Sequence, residues 1–162
     1  MLKNDIVRAL SNKLEETILG SDAGSATQPA GIFNGASEAT LTYAGTVDME
    51  KELEDNNVYG NLSYIVSPAA KATLRTTAKD SGSGLFVMEN GEINGLPVYS
   101  SSACSGIALG NWSEYIIAQW GGIDLTVDPY TQASKGMIRL VINAYFDAKP
   151  RRSEAFVVGT VD

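Results

Sequence analysis

Apolar residues near the start of the chain recur at steps of four, at Leu2, Ile6, Leu10, Leu14 and Ile18, with Lys3, Arg8, Lys13, Glu15 and Glu16 on the other faces. That spacing predicts an amphipathic helix over 2–19, about 26 Å long at 1.5 Å per residue. Gly20 and the small polar run that follows it end the helix, because glycine accepts a left-handed cap and short polar side chains favour turns. A second helix is expected over 48–56, starting near Asp48. Its acidic residues Glu50, Glu52, Glu54 and Asp55 oppose the macrodipole at the C-terminal end, so it must rely on packing through Met49 and Leu53.

Leu62–Val66 reads as a buried strand. Ser67-Pro68 then starts a third helix, with serine capping the free amides and proline losing no intrahelical bond at the first position; Ala70, Leu74 and Ala78 carry it to about Lys79. Strands follow at Leu85–Met88, Leu96–Tyr99, Gly106–Leu109 and Tyr115–Gln119, with a turn at Glu89-Asn90-Gly91. Gly121-Gly122 marks a break. Ile123, Leu125 and Val127 then alternate with Asp124, Thr126 and Asp128, the period of a half-buried strand. A longer alternation puts Ile138, Leu140, Ile142, Ala144 and Phe146 on one face and Arg139, Asn143 and Asp147 on the other. Pairing these two segments gives an antiparallel arm joined through Pro129–Gly136, and Ala155–Val161 supplies a last strand.

The 162 residues are 44% hydrophobic and 19% charged, an ordinary globular composition. A chain of this size buries about 68–70% of its unfolded surface, enough for one core without a metal or disulfide. Nineteen acidic residues against 12 basic ones give a net charge of −7, with no histidine. That balance disfavours a nucleic-acid reader, whose phosphate affinity is built from clustered Lys and Arg. Without histidine, Ser-His-Asp and Cys-His enzymes are excluded and the commonest transition-metal ligand is missing. The charge is also uneven. No Lys or Arg occurs from Asp80 to Ser134, whereas the stretch from Lys135 holds five basic residues against three acidic ones. No apolar run reaches signal-peptide or membrane-span length, so a soluble protein made in the cytoplasm is expected, with no membrane partner.

Candidate chemistry thins out on inspection. Glu50, Glu52 and Glu54 point about 200° apart in successive pairs and cannot converge on one cation, so a solvated face is the expectation. Asp80-Ser81-Gly82-Ser83-Gly84 lacks the Lys and Ser or Thr of a phosphate loop. Cys104, among small residues, reads as packing. Asp124 and Asp128 share a face at roughly 13 Å, too far apart for a paired-carboxylate hydrolase. Lys149, Arg151 and Arg152, the one positive concentration, read as a charged turn between strands, with a contact for an acidic partner surface as the alternative. No catalytic, cofactor-binding or metal-binding residue is assigned, no cofactor is expected, and the chain is read as not an enzyme.

With the elements in order, the chain resembles the C-terminal part of a tailed-bacteriophage major capsid protein, the shell fold also used by encapsulins. Four stretches carry the resemblance: Leu19-Gly20-Ser21-Asp22 through Gln28-Pro29-Ala30-Gly31-Ile32; Tyr64-Ile65-Val66-Ser67-Pro68-Ala69-Ala70 with Leu85-Phe86; Gly95-Leu96-Pro97-Val98-Tyr99-Ser100; and Gly121-Gly122-Ile123-Asp124-Leu125-Thr126-Val127-Asp128-Pro129-Tyr130-Thr131, closed by Glu154-Ala155-Phe156-Val157-Val158. The resemblance implies an α+β fold with a peripheral domain from residues 1–32, the end of the spine helix and its loop, and from the return strands 131–162. An axial domain at 33–130 would lie between them, with Asp80–Gly95 as the loop at the capsomer axis. It implies a self-associating subunit of an icosahedral phage or prophage shell, with ring contacts between axial domains, other capsid components as further partners, and no specific nucleic-acid binding. The protein would be located in the virion after assembly in the bacterial host cytoplasm. The family's N-terminal arm and hairpin loop have no counterpart here, so a truncated form is expected. Gly136 stands where crosslinking members carry an asparagine and Asn143 where they carry the catalytic acid, so no crosslinking is expected.

Two rival readings remain at this point. Trp112, Tyr115, Trp120 and Tyr130 suggest a small-ligand or carbohydrate-binding module, which would need them exposed as stacking platforms, although Tyr115 is expected to be packed. An encapsulin-type cellular shell is a variant of the first reading.

Overall fold

The computed structural model describes residues 2–161, with side chains from Asn4 onward. Leu2, placed on the inward stripe of the first helix, has a side chain outside the described residues. Helix α1 runs Leu2–Ile18. Ile6, Leu10 and Leu14 are half-buried and Ile18 is buried, as the four-residue spacing predicts.

Helix α2 spans Tyr43–Asp55, five residues longer at its start than the sequence pattern suggested. Thr42 caps it by accepting from the Gly45 amide at 3.2 Å, a role that the acidic Asp48 obscured. Leu53 is fully buried and Met49 packs against the core, so packing does hold this helix. Helix α3, Pro68–Thr76, is capped as expected, Ser67 Oγ accepting from the Ala70 amide at 3.1 Å. It stops three residues short of Lys79, where Thr77 turns to extended backbone.

Five strands form one sheet. They are β1 (Leu62–Val66), β2 (Glu92–Ile93), β3 (Leu96–Ser100), β4 (Gly106–Asn111) and a last strand, Phe156–Thr160. β1 lies between a parallel β3 and an antiparallel β4, with α3 on the crossover from β1 to β3. The last strand pairs with β4 on the far side, Ala108 opposite Val158. The strand expected at Leu85–Met88 is absent; only Phe86 bridges, to Ala78, while Val87 and Met88 are buried as loop residues.

Alternation along the central strands divides the interior in two. Tyr64, Val66, Ile107 and Leu109 join Leu53, Leu74 and Val87 on one face. Ile65 and Ala108 face the other way, towards Ile18, Leu19, Phe33 and Cys104. β4 is therefore buried on both sides, and its sequence Gly-Ile-Ala-Leu-Gly reflects that. A Cβ on Gly106 would sit 2.0 Å from the Gly159 carbonyl oxygen, so only glycine lets the last strand approach.

The remaining pair of strands is separate: β5 (Tyr115–Asp128) and β6 (Arg139–Pro150) form a two-stranded antiparallel ribbon. The last strand is accordingly β7. Gly121-Gly122 is not a break. β5 runs through it, and the register shifts between Trp120 and Asp124 as a bulge, two adjacent glycines tolerating the irregular backbone. The division expected at residues 33 and 130 runs across these sheets, since β5 pairs with β6 and β7 pairs with β4.

Candidate assembly interface

Fourteen residues of β5 give the ribbon a length of about 45 Å at the usual rise per residue. Directly opposed residues share a face, so Leu125 with Ile142 and Val127 with Leu140 make one side apolar, while Asp124 with Asn143 and Asp128 with Arg139 make the other polar. The antiparallel arm and its joining turn thus follow the predicted pattern. Its burial does not. Ile123, Leu125 and Val127 are 51%, 53% and 55% exposed, and Tyr130 at the turn is 86% exposed. The alternation marks a face to be covered, and α1 covers only part of it, near Ala144 and Phe146, where Leu10 and Leu14 line the same cleft.

The ribbon's root is firm. Trp112 and Tyr115 pack edge-on against Phe156, with centroids at 5.1 and 5.8 Å, and Trp112 Nε1 donates to the Ser63 carbonyl at 3.0 Å. Burial, and secondarily the Asp147 charge, push the Tyr115 phenol above its ordinary value. The Arg151 amide donates to the Glu114 carbonyl at 2.7 Å, and its guanidinium lies 3.9 Å from the Glu114 carboxylate. Arg152 donates to the Asn56 carbonyl at 3.1 Å. Arg151 therefore closes the ribbon's root against the turn that leads into β5, and Arg152 ties it to the C-terminal end of α2.

At the far end Asp128 organises the turn. Its carboxylate accepts from the Tyr130 and Thr131 amides, at 2.9 and 3.1 Å, and from the Thr131 hydroxyl. These bonds, the hydroxyl's foremost, hold the carboxyl below the usual range. Gly136, in left-handed conformation at φ 66°, caps the short turn Ala133–Lys135.

The aromatic set does not assemble into a stacking platform. Trp112 and Tyr115 belong to the root, whereas Trp120 lies out on the ribbon opposite Tyr145. Nor is Glu50 on a solvated face, contrary to expectation. It is half-buried and accepts from Tyr64 Oη at 3.0 Å and Asn94 Nδ2 at 2.7 Å, tying α2 to β1 and to the β2–β3 turn. Burial, then the Glu50 charge, drive the Tyr64 phenol well above its ordinary value. Nothing local in the sequence marks this network, because its members are 14 and 44 positions apart. Glu52, Glu54 and Asp55 are exposed, as predicted. Burial pushes the Cys104 thiol up, and its Sγ lies 3.3 Å from the Gly106 carbonyl, which fits a packing role. Asp80 accepts from the Ser83 amide at 2.8 Å within a surface turn. Among the described residues no group of three or more His, Cys, Asp or Glu could hold a metal ion, and no helix is long and apolar enough to cross a membrane.

Residues 1–161 match the phage capsid family. The major capsid protein of Halomonas phage phiHAP-1 is 28% identical over 167 residues, covering 98% of this chain but only 28% of that protein. Among solved structures, the capsid of an empty GTA particle is similar at a TM-score of 0.71 and 16% identity, over 96% of this chain and 63% of that one. A chain of Gordonia phage Cozz follows at 0.67 and 14% identity, over 97% and 61%. A virus-like particle from Pyrococcus furiosus is similar at 0.52 and 13% identity, over 76% and 55%. The fold is thus the α+β capsid fold, and the chain spans 28% of the curated relative's length and less than two thirds of these solved chains.

Proposed function

The chain belongs to the phage capsid family, and on that premise we propose that it acts as a structural subunit of a phage or prophage shell, self-associating into capsomers. The observation that carries this reading is the ribbon. Isolated two-stranded ribbons are marginal in water, and contiguous exposed apolar faces of this extent mark protein interaction sites. A role in which neighbouring copies cover Leu125, Val127 and Tyr130 accounts for both.

In this reading the five-stranded unit with α2 and α3 is the axial part, contacting its neighbours around a ring side to side, a heterologous arrangement that closes when the rotation closes. The peripheral part is α1 with the ribbon. Grouping by sheet moves β7 to the axial part and β5 to the peripheral one, relative to boundaries at 33 and 130. The loop Asp80–Gly95, with Leu85 and Phe86 exposed, is the proposed lining of the capsomer axis. The function is geometric rather than catalytic. A net charge of −7 suits a wall that does not adhere to packaged DNA, and no sequence-specific nucleic-acid contact is proposed. The protein would assemble in the host cytoplasm and reside in the virion, with other capsid components as further partners.

Negative-stain electron microscopy and light scattering of the purified chain across concentration and salt test the reading. Rings or closed shells are expected. Strictly monomeric protein under all conditions, also when the chain is fused behind the N-terminal portion of a relative, would sink it.

A further inference from the structure

Among the described residues the ribbon has two unpaired edges, and they are not equivalent. Along β5 the charged residues are Asp124 and Asp128 alone, and a bulge interrupts the strand after Trp120. Two copies joined there would have no opposite charges to set a register, and the backbone is irregular. β6 has an unbroken edge. The Arg151 amide points inward, to the Glu114 carbonyl, and the Ala148 amide outward, where it meets the Asp147 carboxylate at 2.9 Å. By alternation the outward backbone groups are those of the even-numbered residues. Pro150 has no amide to offer and Ala148 is already bonded, so pairing is blocked at the root. Leu140, Ile142, Ala144 and Phe146 remain open, two on either side of Asn143. A cleft lined by the chain's own Ser25–Pro29 segment, Trp120 and Ala144–Asp147 flanks this part of the ribbon.

We propose that the outer edge of β6 pairs antiparallel with the same edge of a second copy, about a two-fold axis through Asn143. In that register Arg139 lies opposite Asp147 of the other copy, twice by symmetry; within its own chain Arg139 faces Asp128 across the ribbon, but among the described residues neither Arg139 nor Asp147 forms an ion pair within 4 Å. Val141 meets Tyr145 on the same face. On the other face Leu140 meets Phe146 and Ile142 meets Ala144, extending the apolar side of the ribbon into a four-stranded sheet. Moving the axis to Ala144 would set Arg139 against Lys149, and moving it to Ile142 would leave both charges unmatched. Charge complementarity therefore selects one register of one edge. The contact is isologous, unlike the side-to-side ring contact, and so would join subunits of adjacent rings. It rests on the shell reading for its setting, not for its test.

Asn143 would form a non-hydrogen-bonded pair with its mate, Cα atoms about 4.5 Å apart, within disulfide reach. With Cys104 replaced by alanine, Asn143→Cys should give a covalent dimer on mild oxidation, and Asp124→Cys on the β5 edge should not. Arg139→Asp or Asp147→Arg, added singly to the Asn143→Cys variant, should lower its crosslinking about tenfold, and the two together should restore it. Absence of a covalent Asn143→Cys dimer, equal crosslinking of the Asp124→Cys variant, or no rescue by the charge swap overturns the proposal. Shells seen by microscopy without crosslinking of the Asn143→Cys variant would leave the shell reading standing and remove this contact. Crosslinked dimers of that variant without shells, also when the chain is fused behind the N-terminal portion of a relative, would leave this contact standing and remove the shell reading.

Discussion

Val66 on β1 and Val127 on β5 are both strand valines, yet the first is fully buried and the second is 55% exposed. The five-stranded unit covers its strands from within the chain, with α2 and α3 on one face and Ile18, Leu19 and Phe33 on the other. Among the described residues the ribbon is flanked by α1 and the segment Thr27–Pro29, around Ala144 and Phe146 and not along Ile123–Val127. An amphipathic strand specifies that one face must leave water, not which chain will cover it. The five-stranded unit answers with its own helices, and in the proposed shell the ribbon answers with a neighbour.

The largest test of this contrast is Leu53→Ala. It should cost about 2–5 kcal/mol of subunit stability, measured by urea unfolding, because the site is fully buried among rigid neighbours. Leu125→Thr, by comparison, should change subunit unfolding by less than about 0.5 kcal/mol while reducing assembly in sedimentation. If both changes destabilise the isolated subunit equally, the contrast fails. Tyr64→Phe comes next, at about 1.5–3 kcal/mol, because the phenol donates to the Glu50 carboxylate in a buried setting; unfolding midpoints would show it.

Glycines sharpen the same contrast. Gly106→Ala should destabilise by about 1–3 kcal/mol, since the new methyl group meets β7 backbone, whereas Gly122→Ala in the ribbon meets nothing within 4 Å and should be close to neutral. Thermal melts of the two variants would separate the regions. The smallest effect concerns pH. The folded-state carboxyl of Asp128 is lowered, so its contribution to the turn is fully present above the ordinary carboxylate range and is lost as pH falls through the lowered value. Amide signals of Tyr130 and Thr131 should therefore hold steady at neutral pH and shift only in acid. A shift near neutrality would contradict the assignment.

Much of this was legible in the residues. The four-residue stripe from Ile6 to Ile18, the Ser67-Pro68 helix start and the antiparallel arm through Pro129–Gly136 are local patterns governed by backbone geometry and capping, and they stand as read. Where neighbours in space decide, the reading fell short. Thr42, although a local cap, was passed over for Asp48 at the head of a run of acids. Glu50 looked solvated because its partners Tyr64 and Asn94 come from other elements. Leu85–Met88 had strand-like residues but only one bridging partner, at Ala78, so Val87 and Met88 were buried without forming a ladder.

The amino-acid sequence alone determined that the three helices exist, which face of α1 turns inward, the alternation of β5 and β6, and the uneven charge, because these depend on periodicities and residue types along the chain. Only the tertiary structure decided which strands share a sheet: β7 with β4, and β5 with β6 in a ribbon of its own. Strand pairing joins residues far apart in the chain, and its free energy comes from surfaces that exist only once the chain has folded. For the same reason the exposure of Leu125 and Val127 could not be read from their alternation. It follows from how little of the ribbon α1 covers.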